Sequence, residues 1–258
     1  MDLGIAGRHA VVCASSRGLG RACAEALARA GCSVVVNGRD GDVLETTAAA
    51  IRSDTGATVT AIAGDVTEPA VRERLLKVAD VDILVTNAGG PPLADFRDLS
   101  AEAIRAGVEA QMVTPIALVQ AVADGMVGRG FGRIVNITSA SVLTGIEKLD
   151  LSSGARAGLT AFLSGVARQL VSADVTINNL LPGNFDTDRQ DSIIEKAASA
   201  SGRTIEDVRK AREKAGPAKR FGRPEEFGAA CAFLASAHAG FITGQNLLMD
   251  GGAFTANF

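Results

Sequence analysis

The stretch "LDLSSGARAGLTAF", residues 149–162, reads as the entry into an amphipathic helix and sets Ser152 and Arg156 four residues apart. Four residues is about one helical turn, so both side chains share a face. Their chemistries differ. An alcohol is a weak acid on a short arm, so Ser152 can hold a water but is a poor proton donor. Arg156 stays charged at working pH and offers planar, bidentate donors, suited to a ribose, a carboxylate or a phosphate. A phenol, with a pKa of about 10, is the hydroxyl that a neighbouring cation tunes most readily, and the chain contains no tyrosine.

A second group of residues suits phosphate. The run "CASSRGLGRACAEALARAG" follows an apolar strand pattern and opens an Ala-rich helix. Gly18 and Gly20 let a helix N-terminus approach a pyrophosphate, where free N–H groups and the helix dipole favour an anion. The next strand ends "VVVNGRD". An NAD site usually places an acid there to hold the ribose 2′-hydroxyl. Here Asn37 and Gly38 precede Arg39, and Arg17 lies inside the Gly-rich turn. Two guanidiniums near one ribose suit a 2′-phosphate, so NADP(H) is expected over NAD(H), with Asp40 still able to act as the ribose acid.

Other titratable groups carry less. His9 and His238 are the only histidines and read as structural. Cys13, Cys23, Cys32 and Cys231 form no CxxC pair or His/Cys cluster, so no metal site is expected and the thiols read as small core residues. Glu147, Lys148 and Asp150 fall in the loop "GIEKLD" and read as solvated, with Asp150 a helix-start carboxylate. Ser141 reads as a turn hydroxyl. Arg189, Arg209 and Arg212 could attract an acidic carrier or acyl-CoA, although a solvated helix face accounts for most such charges.

The elements that must position these groups follow from apolar patterning. Seven short runs ("HAVVCA", "SVVVN", "TVTAIAG", "VDILVTN", "GRIVNITS", "VTINNLLPG" and "NLLMDGG") alternate with helical patterns. Continuous rather than alternating apolar runs mean strands covered on both faces, hence a parallel sheet in a doubly wound α/β fold. The 258 residues suit one domain, 1–258, with a charged lid at roughly 184–222. A formal charge of −3 gives no reason to expect nucleic acid or an anionic membrane as partner. The N-terminus has no signal-peptide pattern, and apolar runs read as too short to span a bilayer, so a cytoplasmic protein is expected.

With "SSRGLG", "GDV", "TNAGG", "IVNITS", "LLPGNFDT" and "FITGQNLLMDGG" in this order, the chain resembles the short-chain dehydrogenase/reductase family over essentially its whole length. It is most similar to the 3-oxoacyl-[acyl-carrier-protein] reductase group. The resemblance implies a single-domain Rossmann fold, with a seven-stranded parallel sheet flanked by helices, and a homotetramer. It assigns Ala14, Ser16, Arg17, Gly18, Leu19 and Gly20 to the phosphate turn, Asp65 and Val66 to the adenine, and Asn87, Ala88 and Gly89 to the ribose side. Pro182, Gly183 and Thr187 would border the nicotinamide. The family's Thr-Gly at the start of the turn is Cys13-Ala14 here, and the added β-carbon is expected to weaken cofactor affinity.

The family centre is an Asn, a Ser, a Tyr and a Lys. Ser139 fits the Ser; thirteen positions on stands Ser152 for the Tyr, four further Arg156 for the Lys, and 28 back from Ser139 Gln111 for the Asn. Three of the four positions are changed at unchanged spacing. Gln111 can still bind water or a backbone carbonyl. Three readings follow: an NADP(H)-dependent oxidoreductase acting on a carbonyl or alcohol, small-molecule or acyl-thioester, with a water on Ser139 and Ser152, or a lid group, supplying the proton; a non-catalytic nucleotide-binding subunit; or a non-redox enzyme in which Arg156 polarises an oxyanion.

Overall fold

The computed structural model describes residues 1–91 and 93–256. Its seven strands are β1 His9–Val12, β2 Ser33–Gly38, β3 Val59–Ala63, β4 Ile83–Thr86, β5 Gly132–Ile137, β6 Val175–Pro182 and β7 Asn246–Met249. All pair in parallel in the order β3-β2-β1-β4-β5-β6-β7. Each coincides with one of the seven apolar runs of the sequence, β2 running one residue past "SVVVN" to Gly38. The buried Val and Ile of β1, β2, β4 and β5 show why those runs do not alternate, since helices cover both faces of the sheet.

The helices are α1 Gly18–Arg29, α2 Gly41–Thr55, α3 Pro69–Leu76, α4 Ala101–Val108, α5 Thr114–Arg129, α6 Asp150–Leu170, α7 Asp188–Ser201, α8 Ile205–Ala215 and α9 Pro224–Leu234. One core, with Leu27, Leu44 and Phe227, lies between the sheet and α1, α2 and α9. The other, with Leu118, Met126, Leu159 and Leu163, lies under α5 and α6. Burying each of these large apolar side chains stabilises the fold by about 1.5–3 kcal/mol.

α6 buries Ser152, Ala155, Leu159, Leu163 and Ala167, a stripe at helical spacing. The polar residue at the head of that stripe is therefore carried inward with the apolar ones. α4 and α5 are joined by a wide turn of π-helix, Glu109–Val113, which carries the buried Gln111. Such bulges recur at functional sites because they re-aim a side chain within a continuous helix.

One expectation changes here. The continuous helical run Ala101–Arg129, 29 residues, is long enough, and apolar enough over part of its length, to cross a membrane by composition. Its residues Leu118, Val119, Val122 and Met126 are instead buried within the α5–α6 core.

The charged segment at 184–222 folds as α7 and α8 around Ile194, Ala198, Val208 and Phe221. A bridge between Phe185 and Gly222 brings its two ends together at the sheet edge. Arg209 pairs with Asp186, Asp191 and Glu213 within it and stacks on Phe221.

Candidate active site

A cavity of about 860 Å³ opens where the C-terminal ends of β1, β4, β5 and β6 meet α7, the side of an open α/β sheet on which ligands bind. Of the residues expected to hold a cofactor, Arg17, Gly18, Leu19, Asn87, Ala88, Gly89, Arg156, Pro182, Gly183 and Thr187 line it. Ala14, Ser16, Asn37, Arg39, Asp65 and Val66 stand outside its wall.

The phosphate turn is shaped for an anion. α1 starts at Gly18 behind Arg17, which provides no side-chain cap, and its first turn carries no acid. The leading N–H groups and the dipole are thus left to a ligand. Gly20 permits the close approach of the turn to its own helix: a β-carbon there would stand 2.4 Å from the Ala14 carbonyl oxygen. That same carbonyl accepts from Asn87 Nδ2 at 3.0 Å, which ties the turn to the end of β4. These features fit a dinucleotide pyrophosphate. Ala14 has a φ of +43°, in the left-handed region that favours glycine.

At the ribose end the structure reassigns two residues. Asn37 is buried, and its amide accepts from the Ala14 N–H and donates to the carbonyls of Ile62 and Gly64. It braces β2, β3 and the turn and has no group left for a ribose. Asp40 caps α2, accepting from the N–H groups of Asp42 and Val43. No acid on β2 competes for a 2′-hydroxyl. Arg39 is exposed and its guanidinium reaches to Gly89, while Arg17 lies 3.9 Å from Asp188. The Asp65 carboxylate turns back to accept from the backbone N–H and hydroxyl of Thr67, and Val66 is buried beside it.

At the catalytic end the four positions separate into two layers. Ser139 and Arg156 line the cavity; Ser152 and Gln111 are buried, at 1% and 4% exposure. Ser139 follows β5, and its hydroxyl oxygen accepts from the Ser141 N–H, leaving its own O–H to donate elsewhere. Gln111 donates to the carbonyl of Gly89 at 2.9 Å and so fixes one wall of the cavity. Arg156 Nη1 donates to Ser152 Oγ at 2.8 Å. The guanidinium therefore folds back over residue 152, a cation above a buried hydroxyl. Burial, with the charge of Arg189 added, pushes Arg156 down to about 10, still cationic at neutral pH. Its Nε is buried without a partner.

The remaining expectations are placed as follows. His9 meets Ser33 and His238 the carbonyl of Asp2, neither on the cavity. All four cysteines are free and buried, and burial pushes Cys13 and Cys32 up to about 12, so these thiols stay protonated. Among the described residues no cluster could hold a metal ion. Asp150 lies in the first turn of α6, and Glu147 borders the cavity mouth. The sequence reading did not include Gln190, which lines the cavity at 5% exposure. Of the lid arginines weighed there as anion-attracting or solvated, the exposed Arg189 and the half-buried Arg212 both line the cavity.

The parallel sheet, the anion-shaped turn after β1 and the cavity at the strand ends define a Rossmann-type nucleotide fold. Residues 13–254 match a family model described as enoyl-(acyl carrier protein) reductase. The chain is 32% identical to the 3-oxoacyl-[acyl-carrier-protein] reductase of Vibrio cholerae, over 98% of this chain and 99% of that one. The L-sorbose reductase of Gluconobacter frateurii, solved with NADPH and L-sorbose, superposes with a TM-score of 0.93 at 27% identity, covering 99% of this chain and 100% of that one. An Agrobacterium tumefaciens 3-oxoacyl (acyl-carrier-protein) reductase with NADP bound superposes with a TM-score of 0.87 at 30% identity, covering 97% and 95%. The chain belongs to the short-chain dehydrogenase/reductase family.

Proposed function

We propose that the protein is an NADP(H)-dependent carbonyl/alcohol oxidoreductase in which the Arg156 guanidinium occupies the place of the family's tyrosine hydroxyl. The observation that carries this reading is the 2.8 Å bond from Arg156 to Ser152, which holds a cation over residue 152 in a cavity shared with Ser139. The uncapped start of α1, the engaged Asp40, and Arg17 and Arg39 near the ribose support NADP(H), as do relatives solved with NADPH and NADP.

A bound nicotinamide would supply or accept the hydride. Ser139 donates its O–H to the substrate oxygen. Arg156 opposes the negative charge that develops there, an electrostatic role that needs no proton transfer from the side chain. The oxygen takes its proton from water at the mouth, so carbonyl, hydride and proton yield the alcohol. α7 and α8, within the segment 184–222, act as a lid that limits further water. Gln111 acts through Gly89 as a positioning residue. The substrate class is a small carbonyl compound or a 3-oxoacyl-like thioester. The burial of Ser152, which leaves no side-chain acid at that position, favours as second reading a subunit that binds the nucleotide without turning over.

Titration with NADPH, NADP+ and NADH, followed by a carbonyl screen for NADPH oxidation, tests the reading. Saturable NADPH binding with turnover is expected. Binding without turnover on any carbonyl supports the second reading, and no nucleotide binding overturns both.

A further inference from the structure

The lid contributes charges to the cavity that no acidic side chain among the described residues pairs with. Arg189 and Gln190 stand in the first turn of α7 and Arg212 on α8, and all three line the cavity. Among the described residues neither Arg189 nor Arg212 has an acidic side chain within ion-pairing distance, and Arg189 donates only to the Pro91 carbonyl, at 3.4 Å. Arg209, one turn before Arg212 on the same helix, meets three carboxylates. Acids are thus plentiful on the lid, and three of them gather on Arg209.

Arg189 is exposed at the cavity, but two polar atoms beside it are buried without partners. Gln190, at 5% exposure, has an unsatisfied Nε2, and Arg212 has an unsatisfied Nε. Leaving such donors unpaired is costly, which makes a site short of acceptors. The acids that share the cavity are engaged elsewhere: Asp250 accepts from the N–H groups of Gly252 and Phe254, Asp188 lies beside Arg17, and Glu147 lies 3.6 Å from Lys148. Arg189 rests against the backbone of Gly90, where a β-carbon would clash with its guanidinium.

We propose that Arg189, Gln190 and Arg212 form a subsite for an oxyanion, carboxylate or phosphate, carried by the substrate. This rests on the reading of the cavity as a substrate site and narrows the substrate to an anionic carbonyl compound. Two guanidinium forks and an amide donor match the acceptor pattern of such a group. Arg156 then remains with the reacting oxygen, one cation serving the chemistry and two serving selection.

The test uses the full chain saturated with NADP+, so that no turnover occurs, and matched probes titrated by calorimetry. These are acetoacetate against its methyl ester, and dihydroxyacetone phosphate against dihydroxyacetone. One charged probe is expected to bind about tenfold tighter than its neutral partner or better, and which one does so separates carboxylate from phosphate. The R189A/R212A double variant should abolish that preference while NADP+ affinity stays within about twofold. Gly90→Ala, which unseats Arg189 without removing it, and R189A alone should each weaken the preference and keep the fold. Equal binding of charged and neutral probes, a preference that survives in the double variant, or parallel loss of NADP+ affinity would overturn the subsite. If NADP+ itself does not bind, the oxidoreductase reading fails separately, and the same probes added to the protein alone still score the subsite.

Discussion

Arg156 donates from Nη1 to the Oγ of Ser152 one turn earlier on α6, at 2.8 Å, and this bond holds a guanidinium over residue 152. The pair is unequal. Ser152 is sealed into the buried stripe of the helix, and only the arginine faces the cavity.

Removing the cation while keeping the volume separates its role in turnover from its role in packing. Arg156→Met is expected to lower kcat on a turned-over carbonyl by about 100-fold, the scale of losing one oxyanion donor. The thermal midpoint should hold or rise, because a buried, desolvated charge is replaced by an apolar chain. Steady-state kinetics beside a thermal melt measures both.

Restoring the family pair is expected to raise reductase activity. In Ser152→Tyr with Arg156→Lys, the ring takes the space of the guanidinium and the lysine brings the phenol pKa down. NADPH oxidation with a 3-oxoacyl test substrate reads the gain. A double variant that binds NADPH normally and gains nothing would show that more than the acid differs.

The turn before α1 contains a strained alanine. With Ala14 at φ +43°, Ala14→Gly should stabilise the protein by about 1 kcal/mol or less, since relief of the left-handed conformation is partly offset by the freedom glycine has when unfolded. Gly20→Ala runs the opposite way, because its β-carbon meets backbone at 2.4 Å and the turn must move. Urea unfolding midpoints check the first, and loss of NADPH affinity the second.

The sequence carried the fold well because parallel strands covered on both faces leave unbroken apolar runs, such as "SVVVN" and "VDILVTN", and all seven became strands. The site was legible only where spacing decides position. Ser139 and Arg156 line the cavity, but spacing does not say that Arg156 folds back to Ser152 or that Ser152 and Gln111 are buried off its wall. Asn37 read as a ribose ligand because its amide partners, Ile62 and Gly64, come from a different strand and loop. Gln190 gave no signal, since a polar residue on a charged helix looks solvated until the docking of α7 is known. The same blindness joined Arg209, which is neutralised, with Arg189 and Arg212, which are not.

The ionisation of Arg156 sets an upper pH limit. Its value of about 10 lies below the ordinary arginine range, so the folded protein loses this proton more readily than the unfolded chain. The sign follows: between that value and the unfolded pKa the unfolded state binds more protons, and this group's contribution to stability rises with pH. Catalysis moves the other way, because the cation is what opposes the developing oxyanion. The other charges on the cavity are Arg17, Arg189, Arg212, Glu147, Asp188 and Asp250. kcat should hold from neutrality upward and fall as pH passes through about 10, in a profile that Arg156→Met lacks.

The most direct measurement is fluorescence titration of the purified protein with NADPH, compared with NADH, followed by mixing the NADPH complex with a panel of anionic carbonyl compounds. The account predicts saturable binding with NADPH preferred, and loss of the bound-cofactor signal as hydride passes to one of those compounds. Absence of nucleotide binding would contradict it at its root, and binding with an undiminished signal across the panel would contradict the assignment of Arg156 to catalysis.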